Sequence, residues 1–383
     1  MDRARGAGES KRDTNAKTIQ LVQLISEIGP DIPEIARRLG QFKESVRYRY
    51  KNRILDKGLA VQAVLNHEKL GLRQLEVIVF FPEEIREYAQ SILTSMSELC
   101  YVTSFEKLMP QGQYLVGAAV PNEFVRAYIG FLDSLRRKGV FSSIDVHIFD
   151  WFKRPPMQAQ FYDFSAGRWD FDWSTKSTRS FEAEAYTPST KSKFDYTDLL
   201  VLKELRVDAA QSMVWISRKL RTNYKKLIWH YRTHIIKSGL ISGYTVRWPG
   251  TKYESRIERA LHRQHAYFWV DLIVRDLNEV ERMALMSNIS RLPFLWAEAG
   301  GKDYFAQLAF PVDYFTEAMQ YLAKSINPVR ERANLYLMDQ TDALAFTISY
   351  KLYDEQRRTW TLEVSSLLEK FEGLILRIKE KGG

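Results

Sequence analysis

Apolar residues recur at helical spacing in three short stretches near the start of the chain, then alternate as in a strand. Over Lys17–Ile28, Ile19, Val22 and Ile25, with Leu21 and Leu24 beside them, form one stripe and predict an amphipathic helix. Pro33–Leu39 reads as a short second helix, with Asp31 or Ile32 at its cap and Pro33 in its first turn. Glu44–Lys57 is the third, stopped by Gly58. Leu59–Leu65 then alternates and predicts a strand and wing. Three short helices with a tight turn between the second and third make a helix-turn-helix.

The pattern occurs twice. IARRLGQFKESVRYRYKNRILDKGL (35–59) aligns without a gap on ISRKLRTNYKKLIWHYRTHIIKSGL (216–240), through Ile35/Ile216, Arg37/Arg218, Leu39/Leu220, Tyr50/Tyr231, Ile54/Ile235, Gly58/Gly239 and Leu59/Leu240. GQYLVGAAVPNEF (112–124) likewise matches KDYFAQLAFPVDY (302–314). Such self-similarity marks two copies of one module.

After each helix-turn-helix the pattern is β-α-β-β-α-β. In copy one it runs Leu75–Phe81, Glu83–Ser97, Cys100–Leu108, Tyr114–Val120, Glu123–Lys138 and Ser143–Phe149. In copy two it runs Tyr267–Val274, Asn278–Ser290, Phe294–Glu298, Tyr304–Phe310, Asp313–Ser325 and Glu331–Met338. That order is ferredoxin-like. The fold class expected is α+β: two copies of a winged helix-turn-helix followed by a ferredoxin-like domain. The expected divisions are a disordered tail (1–16), winged helix 1 (17–66), α/β domain 1 with an aromatic extension (67–173), a Ser/Thr/Lys-rich flexible linker (174–193), winged helix 2 (194–250), α/β domain 2 (251–352) and a C-terminal extension and helix (353–383). Tyr353, Asp354 and Trp360 echo Tyr162, Asp163 and Trp169 of the aromatic extension. An open ferredoxin-like sheet face needs covering, so self-association through the α/β domains is expected.

Charge sharpens this picture. Lys and Arg number 56 against 47 Asp and Glu, a net +9. Residues 17–60 hold 9 basic and 5 acidic side chains, and residues 194–247 hold 10 and 4, so the two helix-turn-helix segments carry the excess. Confined basic patches are the electrostatic footprint of a nucleic-acid binder. No apolar run is long enough to cross a membrane, the first residues have no signal-peptide core, and the single cysteine, Cys100, excludes an internal disulfide. A cytoplasmic, nucleoid-associated protein with no membrane partner is expected.

FDYTDLLVLKELRVDAAQS (194–212) resembles the opening helix of Lrp/AsnC-type transcriptional regulators, with Asp195 and Asp198 matching their acidic pair. AVLNHEKLGLRQLEVIV (63–79) resembles the wing and first strand leading into the same family's sensing domain, and GQYLVGAAVP resembles its Gly-acid-Tyr strand. The resemblance covers most of residues 18–150 and 194–339. It implies a DNA-binding winged helix joined to an α/β domain that dimerises and takes a small-molecule effector. The family's recognition helix places eleven steps from its Val to its Gly, whereas Val46 to Gly58 and Leu227 to Gly239 are both twelve. The Gly-acid pair is Gly112-Gln113 in copy one and loosely Gly301-Lys302-Asp303 in copy two.

The residues expected to contact double-stranded DNA are Lys43, Ser45, Arg47, Tyr48, Arg49, Lys51 and Asn52 in copy one, and Lys225, Lys226, Trp229, His230 and Arg232 in copy two. They lie opposite the apolar sets Val46/Tyr50/Ile54 and Leu227/Tyr231/Ile235. Arg can read guanine bidentately, and Lys mostly holds phosphate. The two helices differ, so two different half-sites are expected for what is read as a sequence-specific, archaeal-type regulator. A less selective chromatin-associated protein is the alternative binding reading.

Walker, GxGxxG and nucleophile-elbow motifs are absent. His230 and His234 stand four apart, but HYRTH lacks the Glu of HExxH, and with His262 and His265 the spacing matches no familiar zinc site. No catalytic residue, metal or cofactor is therefore expected, and the chain is read as a non-enzyme. Siroheme decarboxylases share the double Lrp-like architecture and resemble one another through a His- and Tyr-bearing strand pair. The corresponding SFEKLMPQGQYLVGA and AEAGGKDYFAQLA hold no histidine, which leaves the tetrapyrrole enzyme as a distant alternative.

Overall fold

The computed structural model describes residues 11–173, 190–248 and 267–382. Copy one opens with α1 (Lys11–Ile28), α2 (Ile32–Leu39) and α3 (Lys43–Arg53). The Asp31 side chain caps α2 by accepting from the Glu34 amide at 3.2 Å, and Gly40 ends it at φ 61°. The stripe read from the sequence is the core of this unit: Leu21, Val22, Ile25, Ile35, Val46 and Ile54 are fully buried. There follow β1 (Ala60–Leu65), β2 (Leu72–Phe80), α4 (Ala89–Leu99), β3 (Val102–Met109), β4 (Tyr114–Pro121), α5 (Val125–Arg137), β5 (Ser143–Ile148) and β6 (Trp151–Lys153). A small hairpin, β7 (Tyr162–Asp163) with β8 (Arg168–Trp169), closes the aromatic extension.

Copy two repeats the order with α6 (Tyr196–Val207), α7 (Met213–Lys219), α8 (Tyr224–Trp229) and β9 (Ile241–Arg247). Its α/β part holds β10 (Tyr267–Val274), α9 (Glu279–Ile289), β11 (Leu295–Gly300), β12 (Tyr304–Pro311), α10 (Phe315–Ile326) and the long β13 (Ala333–Ala345). The hairpin of β14 (Tyr353–Asp354) and β15 (Thr359–Trp360) pairs Tyr353 with Trp360, as β7 and β8 pair Tyr162 with Trp169. The ring geometry repeats too, with centroids 5.2 Å apart in both. The C-terminal α11 (Val364–Gly382) packs on α5, Phe371 against Phe131 at 6.0 Å.

The extra residue before Gly58 and Gly239 is absorbed differently in the two copies. In copy one α3 ends early and a 3₁₀ turn, Leu55–Lys57, carries the chain to Gly58 at φ 75°. In copy two the helix continues as a π-helix over His230–Ile236. A π segment inserts one residue without ending the helix, and such insertions are frequent at functional sites.

Each α/β part shows the ferredoxin-like strand order, and the two sheets merge into one of nine strands: β5-β2-β4-β3-β13-β10-β12-β11-β6. The end strands β5 and β6 are separated in the chain only by Phe149 and Asp150, so the sheet curls until its edges meet. Ile78, Leu108, Leu115 and Phe149 from copy one bury together with Ile273, Ala299 and Phe305 from copy two on the face away from the helices. Gln307 spans the same interface, its amide donating to Glu106 at 2.8 Å and Asp271 at 2.9 Å. The face expected to drive self-association between chains is thus covered from within the chain.

The wings also differ from expectation. Each is a single strand, and β1 pairs antiparallel with β9 of the other copy, Ala60 opposite Arg247 through Leu65 opposite Ile241. The two helix-turn-helix units are therefore tied together. Helix α1 starts at Lys11, inside the stretch expected to be a tail. Of the expected linker, residues 174–189 lie outside the described residues, as do His262 and His265. Its end is fastened, because the Ser192 amide donates to the Lys69 carbonyl at 2.8 Å. Among the described residues no helix is long and apolar enough to cross a membrane.

Candidate functional site

The turn between β1 and β2 is built by Asn66 and Gly71. The Asn66 side chain accepts from the Lys69 amide at 3.1 Å, and Gly71 takes φ 70° to let the chain reverse. This turn presents His67 inward. Its carbonyl accepts from Leu72 and Leu70, but its imidazole Nδ1 is buried with no hydrogen-bond partner among the described residues. Burial drives the pKa down from 6.5 to about 3, and the charges of Arg206 and Arg154 push the same way. His67 is a neutral, unsatisfied imidazole. Native proteins rarely leave buried nitrogen unpaired without a reason.

The segment after β5 supplies the opposing wall. Strand β6 crosses to copy two and pairs with β11, Lys153 opposite Glu298 and Trp151 opposite Gly300. Phe152 stacks on His67 with centroids 5.3 Å apart, and the Arg154 guanidinium sits over the Phe152 ring at 5.8 Å from its centroid. Gln158 anchors the end of the segment by donating to the Ser290 and Leu292 carbonyls at 3.1 and 3.2 Å.

Between these walls lies a cavity of about 470 Å³, within the range of small-molecule sites. Arg73, Lys153 and Arg154 give it cationic character, and Trp151 and Phe152 give it flat apolar surface. Glu298 lines it from copy two. The Tyr304 hydroxyl donates to the Glu298 carboxylate at 2.7 Å. Burial nonetheless raises the Glu298 pKa from 4.5 to about 7, with the Tyr304 bond and the Lys153 charge limiting the rise. A carboxyl that titrates near neutral pH in a cleft is the profile of a general acid–base group. The arrangement can hold anionic groups, lie flat against an aromatic ligand and exchange a proton at one point.

None of these residues was singled out from the sequence. His67 sat in a stretch read only as wing, and Glu298 ended a strand. The signal available was NHEK, a histidine in a turn between two apolar strands. Cys100, as expected, is buried in the core, and its thiol is pushed up to about 12.

The residues expected to face DNA divide. Lys43, Ser45, Arg47, Tyr48 and Lys51 are exposed on α3, as are Lys225, Lys226, Trp229 and Arg232 in copy two. Arg49 is half-buried, donating to the Gln41 side chain at 2.8 Å, and Asn52 is half-buried, donating to the Tyr48 carbonyl at 2.8 Å. His230 is a correction: it is buried, its Nδ1 2.8 Å from Asp198 Oδ1, and cannot reach a base edge.

No family model matches the chain, and no curated protein matches it. Among solved structures, the siroheme decarboxylase NirDL matches at 12% identity and TM-score 0.52, over 92% of this chain and 99% of that one. NirDL in co-complex with an iron-uroporphyrin III analogue matches at 12% identity and TM-score 0.50, over 94% and 100%. An AsnC family transcriptional regulator from Agrobacterium tumefaciens covers 39% of the chain at 15% identity and TM-score 0.27. The NirDL matches, which run over nearly the whole of both chains, show that this chain shares that doubled fold. The expectation of a non-enzyme is corrected by the full-length matches, because two solved structures that cover 92% and 94% of this chain are of an enzyme, the siroheme decarboxylase NirDL. The non-enzyme reading had rested on missing motifs.

Proposed function

We propose that the chain is an enzyme of the decarboxylase type, acting on a multiply carboxylated substrate of the tetrapyrrole class in the cavity beside His67. The observation that carries this reading is Glu298, a buried carboxyl with a pKa near 7, facing a cavity lined by arginine, lysine and flat aromatic rings. Arg73, Lys153 and Arg154 hold substrate carboxylates, and Trp151 and Phe152 offer their surfaces to the macrocycle. Loss of carbon dioxide breaks one carbon–carbon bond and leaves its electron pair on the side-chain carbon, delocalised into the ring. The protonated Glu298 then gives its proton to that carbon, and solvent restores the acid. His67 stays neutral and offers a hydrogen bond rather than a charge. The full-length likeness to a siroheme decarboxylase supports the reaction class.

Absorbance titration of the full chain with siroheme tests the binding half of this reading. Saturable binding that weakens at least tenfold in Arg154→Ala and Lys153→Ala supports it. Binding unaffected by both substitutions, or none by the native chain, contradicts it.

A second activity is favoured by the exposed face of α3, where Arg47, Tyr48 and Lys51 stand clear of the core. On this reading the same chain also contacts double-stranded DNA. Selection from random duplexes is the test, with Arg47, Lys225 and Lys226 changed to Glu in the control. A motif enriched by the native chain alone means sequence reading; binding without a motif means backbone contact only.

A further inference from the structure

We infer that copy two carries a divalent transition-metal site, with His230, His234, Asp195 and Asp198 as ligands and Zn²⁺ as the ion it suits. One potential ligand atom from each of the four residues lies within 4.8 Å of the others. His230 Nδ1 is 2.8 Å from Asp198 Oδ1 and 3.6 Å from Asp195 Oδ1, and His234 Nδ1 is 2.9 Å from Asp198 Oδ2. In a tetrahedral site with metal–ligand bonds of about 2.0–2.1 Å, neighbouring ligand atoms stand roughly 3.3–3.4 Å apart. The observed separations bracket that edge, so small side-chain shifts suffice to admit an ion. Two imidazoles and two carboxylates form a donor set that suits zinc.

Charge points the same way. Asp198 is fully buried and Asp195 lies against it, and among the described residues neither forms an ion pair with a lysine or arginine. The Asp198 carboxylate thus sits in a desolvated place, and buried charge needs a compensating partner. A divalent cation supplies that compensation. Carboxylate oxygens accept more than one bond, so the mutual capping of Asp195 and Asp198, at 2.8 and 3.1 Å, is compatible with ligation.

The backbone gives an independent indication. His230 and His234 both lie on the π-helix, whose additional residue copy one handles with a 3₁₀ turn. The Trp229 ring covers the outer side of the cluster, 4.5 Å from His234 and 5.1 Å from His230 between centroids. An ion here ties α6 to the end of the third helix, and so fixes the second helix-turn-helix from within.

The test uses the untagged full chain, stripped with chelator and titrated with Co²⁺ and then Zn²⁺. Expected are one equivalent bound per chain, the intense visible absorption of four-coordinate Co²⁺, its loss on adding Zn²⁺, and a higher melting temperature with Zn²⁺. His234→Gln, at a half-buried position, should weaken binding at least a hundredfold and abolish the thermal shift while retaining the fold by circular dichroism. Failure of the native chain to bind one equivalent overturns the site. So does binding that survives in His234→Gln and His230→Gln together, since the metal would then be held elsewhere.

Discussion

Phe152 lies flat against His67, the ring planes within 8° of parallel and the centroids 5.3 Å apart. The histidine comes from the turn after the first wing, and the phenylalanine from the strand that crosses to copy two. The state of one imidazole therefore reports on how the two halves close.

Replacing Phe152 with Ala opens that contact to water. The His67 pKa should rise from about 3 towards its ordinary 6.5, because desolvation is the largest cause of its depression. Proton NMR of the imidazole against pH measures this directly. Loss of packing at this half-buried ring should cost at most about 3 kcal/mol.

Glu298 and His67 should tilt stability in opposite directions with pH. Below pH 4.5 Glu298 is protonated folded and unfolded alike; between 4.5 and about 7 the unfolded chain loses its proton first. Stability therefore falls as pH rises through that window, by about 3 kcal/mol in full. His67 is held neutral down to about pH 3, so the unfolded chain gains a proton first between 6.5 and 3, and stability falls as pH drops. Denaturant titrations of Glu298→Gln should show the neutral-pH penalty removed and the acid-side loss from His67 exposed.

Gly29 ends α1 at φ 77°, and a β-carbon there would meet the Tyr244 ring of the second wing at 2.6 Å. Gly29→Ala imposes both a left-handed backbone on an L-residue and a displaced ring. A loss of about 2–4 kcal/mol is expected, read as a lower denaturation midpoint. Gly130→Ala, in open space within α5, should instead gain about 0.5–1 kcal/mol, and a Gly29→Ala protein as stable as the native chain would mean that the Tyr244 ring does not pack on Gly29.

At Gly300 a β-carbon would run into the Trp151 indole, which lines the cavity. Gly300→Ala should push that ring into the cavity and weaken tetrapyrrole binding more than it lowers stability, which overpacking of this kind reduces by about 1–3 kcal/mol. Absorbance titration and thermal melting of the same variant separate the two effects.

Much of the fold was legible because periodicity and duplication are properties of neighbouring residues. The stripe of Leu21, Val22 and Ile25, the βαββαβ order and even the Tyr162/Trp169 echo at Tyr353/Trp360 are local patterns, and each appears where it was read. The joins between copies were not legible. The pairing of β1 with β9 and of β6 with β11 depends on which edges meet, and no local pattern encodes that choice. The candidate site lay hidden for the same reason, since His67, Arg154 and Glu298 are distant in sequence and are brought together by those joins. The basic helices, by contrast, stood out as a contiguous charge pattern and drew attention away from the cavity. His230 was misplaced because what holds it inward is buried Asp198 of α6, a partner 32 residues away that no local pattern reveals.

Glu298 is proposed as the proton donor of a decarboxylation in the cavity. The measurement that tests it most directly is mass spectrometry of siroheme incubated with the full chain, with released carbon dioxide followed in parallel, for the native protein and Glu298→Gln. Products lighter by whole molecules of carbon dioxide are expected from the native chain. In the variant, turnover should fall at least a hundredfold while siroheme still binds. Unchanged siroheme with the native chain, or equal turnover by Glu298→Gln, would contradict it.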